Sequence, residues 1–369
     1  MVPDLNMSAE LTSGVPRGWV ASAPEPADAP ALTGLLRRHQ VRARGWATSS
    51  HDDVLIEVSA HGYLTRDNVI LRDQAGELRG WATAHDRAAG RMVLMVVVDD
   101  RLADDHPETA DTVARILYGW SEEAARRIGT ERGLEVQQID SGAFEDDERQ
   151  HRWLERAGFR HARTWWQMSR PVSADESGLD SEPGAGVRIR PIERQGTGMP
   201  AEDDLRFVHD VLESAFADHF NSHEETFDEF VARLREDPGH RWDHWWIAEL
   251  VDDPGGGRQD GNSVGSSGGA VPAGALVGAV HEGAVDEPGG SYVEYIGVLA
   301  HARGRGVARS LLATIIADAA SSGAEESAWR STPTAPPAPT GSMCRWGGRR
   351  STSPSPGTGT SPSRDHVTA

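Results

Sequence analysis

Apolar positions along the chain recur with two periods, and the changes of period lay out its elements. From Trp19 onward the spacing predicts a strand over 18–23 and a helix over 28–39. Short apolar runs predict strands over 53–58, 68–72 and 78–85, the last two joined by Asp73-Gln-Ala-Gly76, a hairpin signal. Residues 91–98 form the most apolar run of this region and predict a strand buried on both faces. Within 109–128, Val113, Ile116, Leu117, Trp120 and Ala124 share one face of a helix. A strand over 134–139, a helix over 147–157 stopped by Gly158, and a strand over 160–169 close this series.

The pattern then lapses. Residues 172–186, rich in Ser, Asp, Glu and Gly, read as a linker. It restarts at Val187-Arg-Ile-Arg-Pro-Ile192, an alternating run closed by a proline, with helices over 203–220 and 227–234 and a strand over 245–251. Low-complexity Gly, Ser and Asp fill 252–274, with 254–274 a flexible insertion before a strand over 275–281. An apolar run, Tyr292–Leu299, leads into a short Arg/Gly turn at 303–306 and an apolar helical run from Val307. The expected fold class is α/β with a mixed sheet. After a disordered lead over 1–18, two units cover 19–171 and 187–326.

Composition narrows the setting. A chain of 369 residues accommodates two domains of ordinary size, and 38% apolar residues suffice for globular cores. The formal charge of −20 disfavours nucleic acid or an anionic membrane as partner, and an acidic surface suits a cationic amine. No apolar run reaches the ~18 residues of a membrane span, and the N-terminus lacks a basic-then-apolar leader, so a cytoplasmic protein is expected. The single cysteine, Cys344, excludes an intramolecular disulfide and a cysteine-based metal cluster. His209, Asp218, His219 and His223 invite a metal reading, but no carboxylate completes a convincing ligand set, and they read as helix-end polar residues. The cluster Trp242-Asp-His-Trp-Trp246 reads as packing. No metal is expected.

The chemistry concentrates between Tyr292 and Leu312. A strand, a glycine-containing turn and a helix N-terminus in this order suit an anion: the first-turn N–H groups are unpaired, and the helix dipole adds positive charge there. Gly304 and Gly306 permit backbone conformations closed to other residues and let a phosphate approach the chain. Arg303, Arg305 and Arg309 supply fork-shaped cations. The common phosphate loops do not fit, because Gly-Lys-Ser/Thr is absent and Arg309 stands where a third dinucleotide-loop glycine belongs.

Arg303-Gly304-Arg305-Gly306-Val307-Ala308 resembles the Gln/Arg-x-x-Gly-x-Gly/Ala signature of the GNAT superfamily of acyl-CoA N-acyltransferases, and Glu294–Val298 resembles that family's central strand. The resemblance implies acetyl-CoA, or another acyl-CoA, gripped at its pyrophosphate by Arg303, Gly304, Arg305, Gly306, Val307, Ala308 and Arg309. It places the pantetheine arm along Ile296 and Val298, an oxyanion-stabilising N–H near Val298, and a general base at Glu294. The acceptor would be an amine of a small molecule or peptide. The first unit has the same element order, and Trp153–Phe159 resembles the family's late aromatic-Gly-Phe motif. Its turn, however, is Asp99-Asp-Arg-Leu-Ala-Asp-Asp-His106, which would repel a pyrophosphate, so the first unit reads as a degenerate copy. Val208–Phe220 resembles the first helix of tandem GNAT proteins related to mycothiol synthase. The implied activity is acyl transfer; the alternatives are an inactive binding or regulatory protein and acylation of a cysteinyl aminosugar.

Beyond Gly323 the character changes. Residues 327–369 are crowded with Pro, Ser, Thr, Gly and Arg and show neither period, so a disordered tail is expected, with the second unit incomplete and its fourth strand left with an unpaired edge. Codons for Ala328–Gly347, read from their third bases, permit an apolar strand and the family's Leu-Tyr-x-x-x-Gly-aromatic helix motif. Met343 and Trp346 force the Val and Gly of that reading. A shifted reading frame is therefore expected near codons 320–330. Sequencing the coding DNA checks it, and an intact frame there overturns it.

Overall fold

The computed structural model describes residues 14–45, 47, 49–87, 90–178, 186–195, 199–217, 225–235, 242–251, 270–281, 290–321, 326–331 and 342–352. In chain order the first half comprises β1 (Val20–Ser22), α1 (Ala29–Arg44), α2 (His51–Glu57), β2 (Arg66–Arg72), β3 (Leu78–Asp86), β4 (Arg91–Val98), α3 (Asp100–Asp105), α4 (Pro107–Glu131), β5 (Val136–Phe144), α5 (Glu148–Arg156) and β6 (Arg160–Pro171). The second comprises β7 (Val187–Pro191), α6 (Glu202–Phe216), α7 (Phe227–Arg235), β8 (Trp245–Leu250), β9 (Val271–His281), β10 (Gly290–Val298), α8 (Val307–Ser321), β11 (Glu326–Ser331) and β12 (Ser342–Thr352). Among these residues no helix is long and apolar enough to cross a membrane.

One expected strand is a helix. Val54, Ile56 and Val58 alternate as in a strand, but Ser50 caps a helix at 51–57. Its hydroxyl accepts from Asp53 N at 3.1 Å, and its own N–H donates to the Asp53 carboxylate at 2.8 Å. Val54 and Val58, four apart, are then both buried beside Leu32, Leu35 and Trp81. Strand β4 also departs from expectation: Val93 is 37% exposed while Met92 and Leu94 are buried, so one face is not fully covered. Strand β9 begins at Val271, inside the stretch expected to be a flexible insertion.

All twelve strands form one mixed sheet, in the order β1-β2-β3-β4-β5-β12-β6-β11-β10-β9-β8-β7. Read inward from either end, five strands of one half are followed by the last strand of the other. Strand β6 of the first half pairs with β11 from Pro171↔Glu326 to Trp166↔Ser331. Strand β12 of the second half pairs with β5 from Phe144↔Met343 to Val136↔Thr352, and with β6 on its other side. The last strands are exchanged. The expected unpaired edge is therefore not found: β11 lies parallel to β10. Backbone N–H and C=O groups make these ladders whatever the side chains, which is how a segment without an alternating pattern becomes a strand. Residues 332–341, where a last helix would fall, lie outside the described residues.

Each half has a core on both faces of the sheet. In the first, α4 packs through Val113, Leu117 and Trp120 on one face, while α1 and α2 cover the other. In the second, α8 packs through Val307, Leu311 and Ile315, opposite α6 and α7. Asp204 of α6 secures β7. Arg190 donates twice to its carboxylate, at 2.7 Å each, and Glu193 N–H donates at 2.6 Å. Burial alone would raise this carboxyl, but these bonds outweigh it and hold Asp204 below the ordinary carboxylate range. Its contribution to stability is complete above the unfolded pKa of about 3.9 and lost as pH falls through the lower folded value. Asp204→Ala, which leaves Arg190 with its looser 3.6 Å ion pair to Glu249, is expected to cost about 2 kcal/mol in urea unfolding at pH 7.

Candidate functional site

Strand β10 changes partners in mid-course. Gly290–Val293 pair with Glu326–Trp329 of β11, and beyond Val293 the parallel ladder stops. At the same point the antiparallel register against β9 slips, from Val293↔Gly278 to Tyr295↔Val277, so Glu294 is the extra residue of a β-bulge. The bulge reverses the faces: Val293 packs on the α8 side and Tyr295 on the α6–α7 side. Glu294 is exposed, and Ile296 and Val298 are half-buried along the part of β10 that β11 leaves. A wedge with a backbone edge opens there.

The chain then enters the turn, which is clamped to the start of β9. Leu299 N–H donates to Ala273 O at 2.9 Å, and His301 Nε2 lies 2.8 Å from Pro272 O. Buried Ala302 and Val307 hold the turn's two ends against the core. Helix α8 comes in closely because Gly274 lacks a side chain: a Cβ there would lie 2.7 Å from Gly297 O and 3.0 Å from Val307 Cγ1. Gly304 and Gly306 have φ of 78° and 79°, the left-handed region. A Cβ on either would meet no atom within 4 Å, so backbone conformation, and not crowding, demands glycine.

The N–H groups of Gly304, Gly306, Val307, Ala308 and Arg309 have no backbone acceptor among the described residues. Ala308 is exposed, as are Arg303, Arg305 and Arg309, and none of the three arginines meets a carboxylate among the described residues. The turn thus presents free donors, a helix N-terminus and uncommitted cations to one open space. These residues suit a pyrophosphate chemically.

The first half shows what the same layout looks like when closed. Its parallel pair β4–β5 also opens after four positions, at Leu94↔Ser141. Here the protein's own side chains occupy the gap: Ser141 Oγ donates to Leu94 O at 3.0 Å, and Gln150 Nε2 to Val96 O at 3.5 Å. Ile296 and Val298 carry no comparable side-chain plug among the described residues. The acidic turn is folded into α3 and neutralised from within. Arg79 donates to the Asp99 carboxylate at 2.6 Å, and Arg42 grips Asp104 with two bonds of 2.5 and 2.7 Å. The Arg42 bonds hold Asp104 below the ordinary carboxylate range.

Of the other residues singled out in the sequence, His209 Nε2 meets Glu225 O at 2.7 Å and its ring packs on Phe227 and Phe230. Asp218, His219 and His223 lie outside the described residues. No group of three potential metal ligands occurs among the described residues. Trp245 and Trp246 are buried, and Trp242 packs against Trp245 at a tilt, with ring centroids 5.0 Å apart. His244 Nδ1 lies 2.6 Å from Asp318 Oδ2, locking the far end of α8. Sequence reasoning missed the bulge, the Gly274 contact, the His301 clamp and the Gln150 plug. Gly274 falls in a stretch read as low-complexity, and the other three carry no sequence signal.

The Acetyltransferase (GNAT) family model matches residues 211–338, which include β10, the turn and α8. No curated protein sequence matches the chain. Among solved structures, a GCN5-related N-acetyltransferase from Sphaerobacter thermophilus is similar over 91% of this chain and 96% of its own, with a TM-score of 0.64 and 19% identity. A tandem GNAT protein from the clavulanic acid biosynthesis pathway is similar over 90% of this chain and 98% of its own, at TM-score 0.60 and 12% identity. The Saccharomyces cerevisiae N-myristoyltransferase, solved with myristoyl-CoA, is similar over 92% and 81%, at 0.52 and 10%. These likenesses cover both halves, and the family match falls on the half whose turn is open. Residues 211–338 thus match the GNAT family, and the chain as a whole has the fold of these tandem GNAT structures.

Proposed function

We propose that the second unit, residues 187–326, binds an acyl-CoA, with acetyl-CoA the first candidate, and transfers its acyl group to an amine of a small molecule or peptide. One observation carries this reading: inside the stretch matched by the family model, an open β10 wedge ends at a turn of free N–H groups and three uncommitted arginines. Arg303, Arg305 and Arg309, with the N–H groups of the turn, would hold the pyrophosphate, and the backbone of Ile296 and Val298 would line the pantetheine arm. The first unit, residues 19–171, packs against the second and shapes the acceptor cleft without binding acyl-CoA.

An ammonium has no lone pair for attack, so one proton must leave first. Glu294, exposed at the bulge, accepts it directly or through a water. The neutral nitrogen attacks the thioester carbon, an N–H near Val298 stabilises the developing oxyanion, and the C–S bond breaks as the amide forms. The thiol of coenzyme A leaves as thiolate, an anion tolerable near its pKa of about 8.5, and the amide nitrogen sheds its second proton to water. A cytoplasmic setting is part of this reading.

Thiol release from acetyl-CoA with a panel of amines tests it. Glu294→Gln is expected to lower kcat about a hundredfold while leaving acetyl-CoA affinity unchanged. Binding without thiol release from any amine would replace the reading with an inactive binding protein. Activity confined to a cysteinyl aminosugar would narrow the acceptor to that class.

A further inference from the structure

The first unit keeps a cavity of about 540 Å³ between α4 and α5, lined by residues of the first unit alone. This size lies within the range of small-molecule sites. Its floor is apolar and aromatic: Tyr118, Ile139, Trp153 and Phe159, with the Tyr118 and Phe159 rings 6.0 Å apart. Burial pushes the Tyr118 phenol above its ordinary value, so the floor carries no negative charge.

The charges at the rim are unequal. Asp111 is already engaged, accepting from Trp153 Nε1 at 2.7 Å and Arg156 Nη1 at 2.5 Å. Glu122 accepts from Arg126 at 2.6 Å. Arg115, exposed at the mouth, meets no carboxylate among the described residues. Gly119 borders the same space in the middle of α4, where glycine is the worst residue for a helix after proline. A Cβ there would meet nothing within 4 Å, so protein packing does not require the glycine. Its absent side chain leaves the cavity open.

We propose that this cavity binds a small, flat aromatic monoanion such as an aromatic carboxylate, its ring on Tyr118, Trp153 and Phe159 and its charge on Arg115. An aromatic floor favours stacked rings, and a lone guanidinium at an apolar mouth favours one carboxylate. The site is independent of acyl-CoA binding.

Fluorescence titration of the full chain with 2-naphthoate, and with neutral 2-naphthol as control, tests the proposal. Saturable 2-naphthoate binding about tenfold tighter than 2-naphthol is expected, and saturating coenzyme A should leave it intact. Arg115→Gln should remove the preference for the anion. Gly119→Leu, which fills the cavity, should weaken both ligands at least about tenfold with its thermal melt retained. If that variant does not fold, Gly119→Ala should weaken both ligands about threefold. Absence of saturable binding, displacement by coenzyme A, or unchanged binding in the folded Gly119 variant would overturn the site.

Discussion

Acetyl-CoA binding will fall about a hundredfold or more, the equivalent of about 3 kcal/mol, when Gly306 is replaced by valine. Two effects add at this residue. Its φ of 79° is a conformation that a β-branched side chain avoids, at about 1–3 kcal/mol, so the turn must rearrange. The new side chain also enters open space beside the turn, among N–H groups of Gly304, Val307 and Ala308 that have no backbone acceptor among the described residues. Because no protein atom lies within 4 Å of that Cβ, the core beneath the turn is not disturbed, and the melt should fall only by the several degrees that this local strain implies. Calorimetric titration reads the affinity. Undiminished binding by the folded variant would show that the acyl-CoA is held elsewhere.

The second large effect concerns the sheet. Ending the chain after Ser331 removes β12, and with it the shared partner of β5 and β6. Each lost backbone hydrogen bond in a ladder counts for about 1 kcal/mol, so several kcal/mol disappear and the melting temperature should drop by about 10 °C or more. The loss should be felt in the first half, far away in sequence. Hydrogen exchange at 136–144 and 160–171 should quicken, while β8 and β9, at the other end of the sheet, should be less affected. Unaltered protection of β5 would mean that the exchanged strand adds nothing. Where DNA sequencing reveals a shifted frame, the frame-restored chain offers the complementary comparison, and it should melt higher than the chain as it stands.

The open turn was legible because its requirements are local. Two glycines at positive φ, arginines between them and an apolar run on each side are all properties of adjacent residues, and Arg303–Arg309 could be read from their order alone. The acidic Asp99–Asp105 stretch was legible for the same reason. How it is neutralised was not, since Arg42 and Arg79 come from α1 and β3. The strand expected over 53–58 failed at a point of real ambiguity: Val54 and Val58 satisfy both periods while Ile56 fits only the strand, and the Ser50–Asp53 cap decided between them. Glu294 was picked out as a strand residue, but its place as the inserted residue of a bulge depends on the register with β9.

What the sequence determined by itself was most of the succession of elements, the turn that resembles the family signature and the contrast between a basic and an acidic turn, because each rests on neighbours along the chain. Only the tertiary structure decided which wedge is open and which strands close the sheet. Gln150 seals the first wedge from 54 residues away, and β12 crosses back to a strand of the other half, through backbone bonds that leave no trace in the side-chain pattern.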